Sequence, residues 1–502
     1  MTAKTTVVLL VWAAGHPISA NAQSEQPGSG ESSAPSAREV GDAMPPSTAV
    51  PPERPEARDE MPPSTVPPES REAHRTERAP RAVQQQERVL ENGLRVVLRH
   101  DPAASDAALC VAYRVGSADD PPNRRGLAHF TEHLMFAPSA SAPNGAGAFY
   151  ESAGATYVNA ATTDIATRYC AAFPQESLRA ALFVESDRMA FRLSELNEAQ
   201  IQNERPILLN EALQRGELAT RRDSFDWQEL FSELPRAAAY DEDGEDIDDI
   251  TLSDVQAFFR TYYGPANASL ALVTSRTPDE VWPEIERCFA HVEGAPAPPR
   301  RPSPPVTLPG EVELTFLSTL NSTRLAITWA VPPTGAPLGA ELDLAASHLR
   351  RRLVRWAEGQ PLVRSVAAAY VRDPEQGAFR IVIAGDGDAD LNAAERLLSL
   401  ELSALHRRPL RSEDFQAARR SAILRAITSP LGWAVHLAMA NLYDRPRETD
   451  SRAYYRAATP ESLHRAVGRL LPMGRRIIFR ALPDTGPDPS SSGDLSRRIR
   501  YE

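Results

Sequence analysis

The stretch GAPAPPRRPSPPVTLPG, residues 294–310, limits this chain more than any other feature. So much proline interrupts secondary structure and reads as a linker between domains. At 502 residues the chain is in any case too long for one hydrophobic core. The two sides of the bridge read alike. Before it, TLSDVQAFFRTYYGPANASLALVTS (251–275) is a capped helix followed by a strand. After it, ATPESLHRAVGRLLP and RRIIFRALP (458–483) repeat helix then strand. A duplicated domain is the expectation.

The first half opens with RVLENGLRVVLRHD (88–101), where Asn92-Gly93 between β-prone runs signals a hairpin. AALCVAYRVGS (107–117) reads as a strand, and helices are expected over 126–136 and around 147–153. ATYVNAATT and TRYCAAFP read as strands, and 178–191 and 197–215 carry helical periodicity. In the second half RLAITWAV (324–331) and GAFRIVIAGD (377–386) read as strands. Helices are expected near 340–357, 390–406 and 412–428. The fold class is α+β, two homologous domains, each an antiparallel-rich sheet covered by helices.

Within GLAHFTEHLMF (126–136), His129 and His133 stand four apart, so a helix turns both imidazoles toward one ion. Neutral imidazole suits zinc. Glu132 borders the same face and can take a proton from an activated water without ligating. Catalytic zinc takes a third protein ligand. NERPILLNEALQR offers Glu204 and Glu211, seven residues or nearly two turns apart, so both carboxylates point one way. One would ligate and the other support a ligand or polarise water. Acidic residues at that spacing also form ordinary solvated helix faces; the histidine pair tips the reading. Phe130 and Phe136 read as core.

HFTEH followed by ERPILLNE resembles the inverted-motif metallopeptidases of family M16, the pitrilysin, insulin-degrading and mitochondrial-processing peptidases. LENGLRVVL is similar to that family's opening hairpin, ESAGATYVNAATTDIATRYCAAFP to its substrate-flanking strands, and YYGPANASLALV to the end of its first domain. The likeness spans about 88–485, strong in the first half and weak in the second. It implies a LuxS/MPP-like fold and one zinc per chain. His129, His133 and Glu211 would be ligands, Glu132 the general base and Glu204 a supporting carboxylate. Asn159 matches an asparagine lining the substrate cleft. It also implies an endopeptidase that closes two clamshell halves around peptides or unfolded chains, its zinc acidifying water and polarising the scissile carbonyl.

Active members also draw an arginine and a tyrosine from a metal-free half. In HLRRRLVRWAEGQPLVRSVAAAY (348–370) Arg355 is the candidate arginine, Arg364 stands at the tyrosine position, and Tyr370 is displaced. This departure points to a second M16-like subunit as partner, in a heterodimer or a homodimer. It also keeps open a catalytically silent subunit that binds rather than cleaves. Pro206, between the two glutamates, is expected to remove a helical hydrogen bond and disturb their aim. YDEDGEDIDDI (240–250) reads as a solvated acidic loop. GDGDADLNAAE (385–395) mimics a calcium loop but lacks its glycine and terminal glutamate, and so reads as a helix cap.

Residues 1–22 read as a secretory signal ending at Ala20-Asn21-Ala22, with an uncleaved anchor as the alternative. Residues 23–85, where MPPSTAVPPE recurs as MPPSTVPPES, read as a disordered proline-rich linker. The expected domains are then 86–293 and 311–488, with a tail over 489–502. A periplasmic or secreted location follows. Cys110, Cys170 and Cys288 show no metal spacing; they read as buried thiols, one disulfide being open to an oxidising compartment. The net charge of -12 argues against a nucleic-acid binder. No G-x-S-x-G appears, which disfavours a serine hydrolase. Outside the leader no segment is long and apolar enough to span a membrane.

Overall fold

The structure is a computed structural model. It describes residues 82–139, 142–190, 196–217, 246–300, 306–308, 310–318, 322–387, 389–425, 427–446, 450, 453–483 and 499–500. The expected signal segment, the proline-rich linker up to residue 81 and most of the acidic loop lie outside these; Gln84 and Gln85, expected at the linker's end, already belong to the first strand.

Two six-stranded sheets organise the described residues. The first contains β1 (Gln84–Val89), β2 (Arg95–His100), β3 (Asp106–Tyr113), β4 (Tyr157–Thr162), β5 (Thr167–Pro174) and β6 (Ala268–Thr274) in the order β1-β2-β6-β3-β5-β4. The second contains β7 (Val312–Ser318), β8 (Ser322–Val331), β9 (Val363–Val371), β10 (Gly377–Asp386), β11 (Ile477–Pro483) and β12 (Ile499–Arg500) in the order β12-β7-β11-β8-β10-β9. Each is antiparallel except for one parallel pair, β2 with β6 and β7 with β11. From the second position onward the two orders match strand for strand, which bears out the duplication.

Helices cover one face of each sheet. Over the first lie α1 (Leu127–Leu134), α2 (Gly145–Ser152), α3 (Leu178–Ala190), α4 (Glu198–Glu217), α5 (Leu252–Tyr262) and α6 (Pro278–Phe289). Over the second lie α7 (Gly339–Ala357), α8 (Leu391–Arg407), α9 (Ser412–Leu424) and α11 (Pro460–Leu470). The helix-then-strand echo is real down to its caps: Thr251 with Asp254 opens α5, and Thr459 with Ser462 opens α11. The calcium-like stretch is indeed a cap, with the Asp390 side chain accepting from the Ala393 amide.

The two halves also correspond where α1 and α7 begin. Each starts from a left-handed residue, Gly126 at φ 89° and Leu338 at φ 75°. Counted from those starts, Glu341, Leu344 and Ala345 stand where the first half has His129, Glu132 and His133. The second half therefore lacks the histidine pair at the equivalent place.

β3 shows no polar alternation because both its faces are covered. Leu109, Val111 and Tyr113 face the helices of the first half. Ala108, Cys110 and Ala112 face α10 (Pro430–Leu442), a helix from the second half that lies on the first sheet. Small side chains on the sheet let the helix approach, and Trp433 and Leu437 fill the contact. Polar contacts fasten it: Arg95 Nη1 donates to the Asn441 carbonyl at 3.0 Å, Asn441 Nδ2 to Ser269 Oγ at 3.0 Å, and the Tyr443 hydroxyl to the Ile165 carbonyl at 2.6 Å. Arg114 pairs with Glu375 at 2.9 Å, and Asp444 joins Arg95 to Arg300.

The reading of all three cysteines as thiols is corrected. Antiparallel β3 and β5 set Cys110 directly opposite Cys170, Cα to Cα 4.1 Å, and the two are disulfide-bonded. Register, which spacing along the chain does not reveal, brings them together. Cys288 is a free, buried thiol as expected.

Two outcomes follow for the α10 seam. Leu437→Ala removes a fully buried side chain and should lower unfolding stability by about 2–4 kcal/mol, read from the denaturant midpoint. His436, pushed down to about 4 by burial and then by the Arg372 and Arg99 charges, is neutral when folded. Below its ordinary value of 6.5 the unfolded chain takes a proton the folded chain refuses, so stability falls as the pH drops toward about 4. Melting curves across that window should be flatter for His436→Gln.

Candidate metal centre

Helix α1 is short, and its start is built rather than self-sustaining. Gly126 occupies a conformation that favours glycine, and a Cβ there would stand 3.2 Å from Ile247 Cγ1. The first amides of α1 find their acceptor in Asp120, whose carboxylate takes the Gly126 and Ala128 N–H groups at 2.8 Å each. The buried face of α1 carries Leu127, Ala128, Phe130 and Leu134, so Phe130 is core as expected. Phe136 packs on Tyr169 beneath it.

With that face fixed, His129 and His133 turn toward α4. Their Nε2 atoms lie 3.2 Å apart. Glu211 Oε2 lies 3.6 Å from His129 Nε2 and 3.7 Å from His133 Nε2. Bonds of about 2.0–2.1 Å to a tetrahedral ion put neighbouring donors about 3.4 Å apart. Two imidazoles and a carboxylate at this spacing fit zinc, and among the described residues this is the group able to hold a metal. Glu204 Oε2 sits 3.4 Å from His133 Nδ1, the ring nitrogen turned away from the triangle. That contact leaves Nε2 as the nitrogen that would face a bound ion. Pro206 lies within α4, yet the helix continues and both glutamates reach the histidines, so the expected disturbance of their aim is not seen.

Glu132 is buried at 8% exposure beside the histidines. Burial pulls the His133 imidazole down, but the Glu204 hydrogen bond and the charges of Glu211, Glu132 and Glu204 outweigh it and raise it. A proton and a metal ion compete for the same lone pair, so a site that favours one cation favours the other. Behind α1 lies a buried ion pair, Glu185 with Arg188 at 3.0 Å, each 3% exposed. Tyr150 donates to Glu185 at 2.7 Å, and Arg188 lies over the Tyr169 ring.

Asn159 is exposed on β4, the edge strand of the first sheet, against which α1 packs. The second-half candidates are not gathered here. Arg355 is exposed in the last turn of α7. Arg364 pairs with Asp386, and the buried Tyr370 donates to the Pro332 carbonyl.

The Insulinase (Peptidase family M16) family model matches residues 95–219, and the Peptidase M16 inactive domain model matches 249–422. The chain belongs to peptidase family M16. Among M16 relatives, the coenzyme PQQ synthesis protein F of Pseudomonas aeruginosa is 33% identical over 251 residues, 48% of this chain and 32% of that protein. The chain thus matches about a third of that relative's length. A protease from Helicobacter pylori shares the fold at 18% identity, TM-score 0.67, covering 80% of this chain and 100% of that one. The first half of the periplasmic protease PqqL from Escherichia coli does so at 18% identity, TM-score 0.64, covering 79% and 92%.

Sequence reasoning missed Asp120, the Arg125–Asp246 contact and the buried Glu185–Arg188 pair. The first two act across loops, where no periodicity marks a partner. The last looks like any i,i+3 surface pair until burial is known. If Glu204 orients His133, Glu204→Gln should weaken zinc binding about 10–100-fold in a competitive chelator titration, with one ion still bound per chain.

Proposed function

We propose that the chain is a zinc-dependent endopeptidase acting on peptides or unfolded polypeptides. The observation that carries this reading is Glu132, buried on α1 between two histidines whose Nε2 atoms converge with Glu211 beside an open sheet edge. His129, His133 and Glu211 would hold the ion. When bound, zinc supplies Lewis-acid polarisation of the scissile carbonyl and of the attacking water.

The rest belongs to the chain's own residues. A substrate peptide adds as a strand to β4 and takes main-chain hydrogen bonds from it, with Asn159 at its side. Glu132 accepts the proton of the attacking water and passes it to the leaving amine. Glu204 keeps His133 from turning. Arg355 is assigned to the substrate from the second half, across the chamber that two halves of limits 86–293 and 311–488 would form.

The Cys110–Cys170 bond supports an oxidising compartment, and with it the secretory reading of residues 1–22 and a periplasmic or secreted location. No helix of the described residues is long and apolar enough to cross a membrane. The position of Arg364 and the burial of Tyr370 support a second M16-like subunit as partner.

The test is cleavage of an unstructured quenched peptide, with and without a zinc chelator, beside Glu132→Gln. Expected is chelator-sensitive cleavage, with the variant slower by about a thousandfold or more while still binding zinc. A zinc-loaded protein that cleaves nothing, alone or with an M16-like partner added, would leave the silent binding subunit as the reading.

A further inference from the structure

The ligands come from two helices, and nothing in either helix alone sets the distance between them. Glu204 and Glu211 ride on α4; His129 and His133 ride on α1. Between the two lies a one-turn segment, Ile247–Asp249, with its flanking residues Asp246 and Ile250. That segment is bonded to both sides. Toward α1, the Asp246 carboxylate accepts the Arg125 backbone N–H at 3.0 Å and the Arg125 Nε at 3.2 Å, one residue before Gly126. The Ile247 side chain, 5% exposed, fills the space left by the missing Cβ of Gly126.

Toward α4, the contact is one side chain. Arg205 Nη1 donates to the Ile247 carbonyl at 2.9 Å and to the Asp248 carbonyl, and Nη2 donates to the Ile250 carbonyl at 2.8 Å. These carbonyls lie at the end of a short helical turn, where the Ile247 carbonyl also takes the Ile250 N–H at 3.4 Å, and a planar cation suits them. A guanidinium reaches all three at once; an ammonium does not. Arg205 follows Glu204 directly. About 100° of helical turn separates the two side chains, so one addresses His133 while the other grips the segment.

We propose that Arg205 is a positioning residue, fixing α4 in rotation and register so that Glu204 and Glu211 meet the histidines of α1. The inference rests on the zinc-site reading above. Charge alone predicts the opposite effect on the metal. A guanidinium next to the site repels a divalent cation, so its removal would tighten binding. Weaker binding on removal can come only from lost geometry.

The experiment compares wild type with Arg205→Met and Arg205→Lys. Zinc affinity is read by chelator competition, coordination by the visible spectrum of the cobalt(II)-substituted protein, and the fold by thermal melting of the metal-free protein. Expected for Arg205→Met is a zinc dissociation constant raised about tenfold or more, altered cobalt bands, and a metal-free melt within a few degrees of wild type. Arg205→Lys should fall between, since it keeps the charge but not the fork. Unchanged or tighter zinc binding with an unaltered cobalt spectrum would overturn the proposal. So would loss of affinity only in step with a collapsed metal-free melt, which would make Arg205 a general stabiliser. A wild-type protein that binds no zinc would instead bring down the zinc-site reading, and this inference with it.

Discussion

The convergence of two imidazoles and a carboxylate to within 3.7 Å is the demand that the first half of the molecule is arranged to meet. Three groups that each prefer water must be held together without an apolar filler between them. A helix of eight residues such as α1 has too little cooperativity to hold itself. Its order is borrowed from Asp120 at its start, from the core under its apolar face, and from the 246–250 segment at its flank. The buried Glu185–Arg188 pair lies behind it. Replacing one member alone would strand a charge in the interior at a cost of several kcal/mol.

The halves are duplicates, yet among the described residues only the first carries a group able to hold a metal. The two sheets share their strand order apart from one edge strand, and α1 and α7 start in the same conformation. Residue identity alone differs at the decisive places, where Glu341, Leu344 and Ala345 replace the site's histidines and glutamate. Leucine at the left-handed start of α7 carries strain that Gly126 avoids. The glycine is therefore matched to the close approach of Ile247, a contact that belongs to the half carrying His129, His133 and Glu211.

Much of this was legible in the sequence because it is local. The 3.6-residue period of α1 and α4, the Asn92-Gly93 turn and the Thr251 cap are each written within a dozen residues. The metal group was legible for the same reason: two histidines one turn apart, and two glutamates two turns apart. What escaped reading is what spans distance. The Cys110–Cys170 bond depends on the register of β3 against β5. The Arg205 grip and the Asp120 cap depend on loops. β3 looked like any apolar run because its second face is covered by α10, which arrives more than three hundred residues later. The second half was harder throughout, because among its described residues no histidine–carboxylate group marks particular places.

That late arrival imposes an order on folding. Residues 430–442 are made after the whole first half has emerged, and until they dock the far face of the first sheet is bare. Cys110 and Cys170 lie on that face, at 0% and 7% exposure once it is covered. Thiol exchange needs access to the sulfurs. The bond between them must therefore close before that helix docks, and the helix then covers it. A helix far along the chain thus acts as the lid on a bond between two strands near its start.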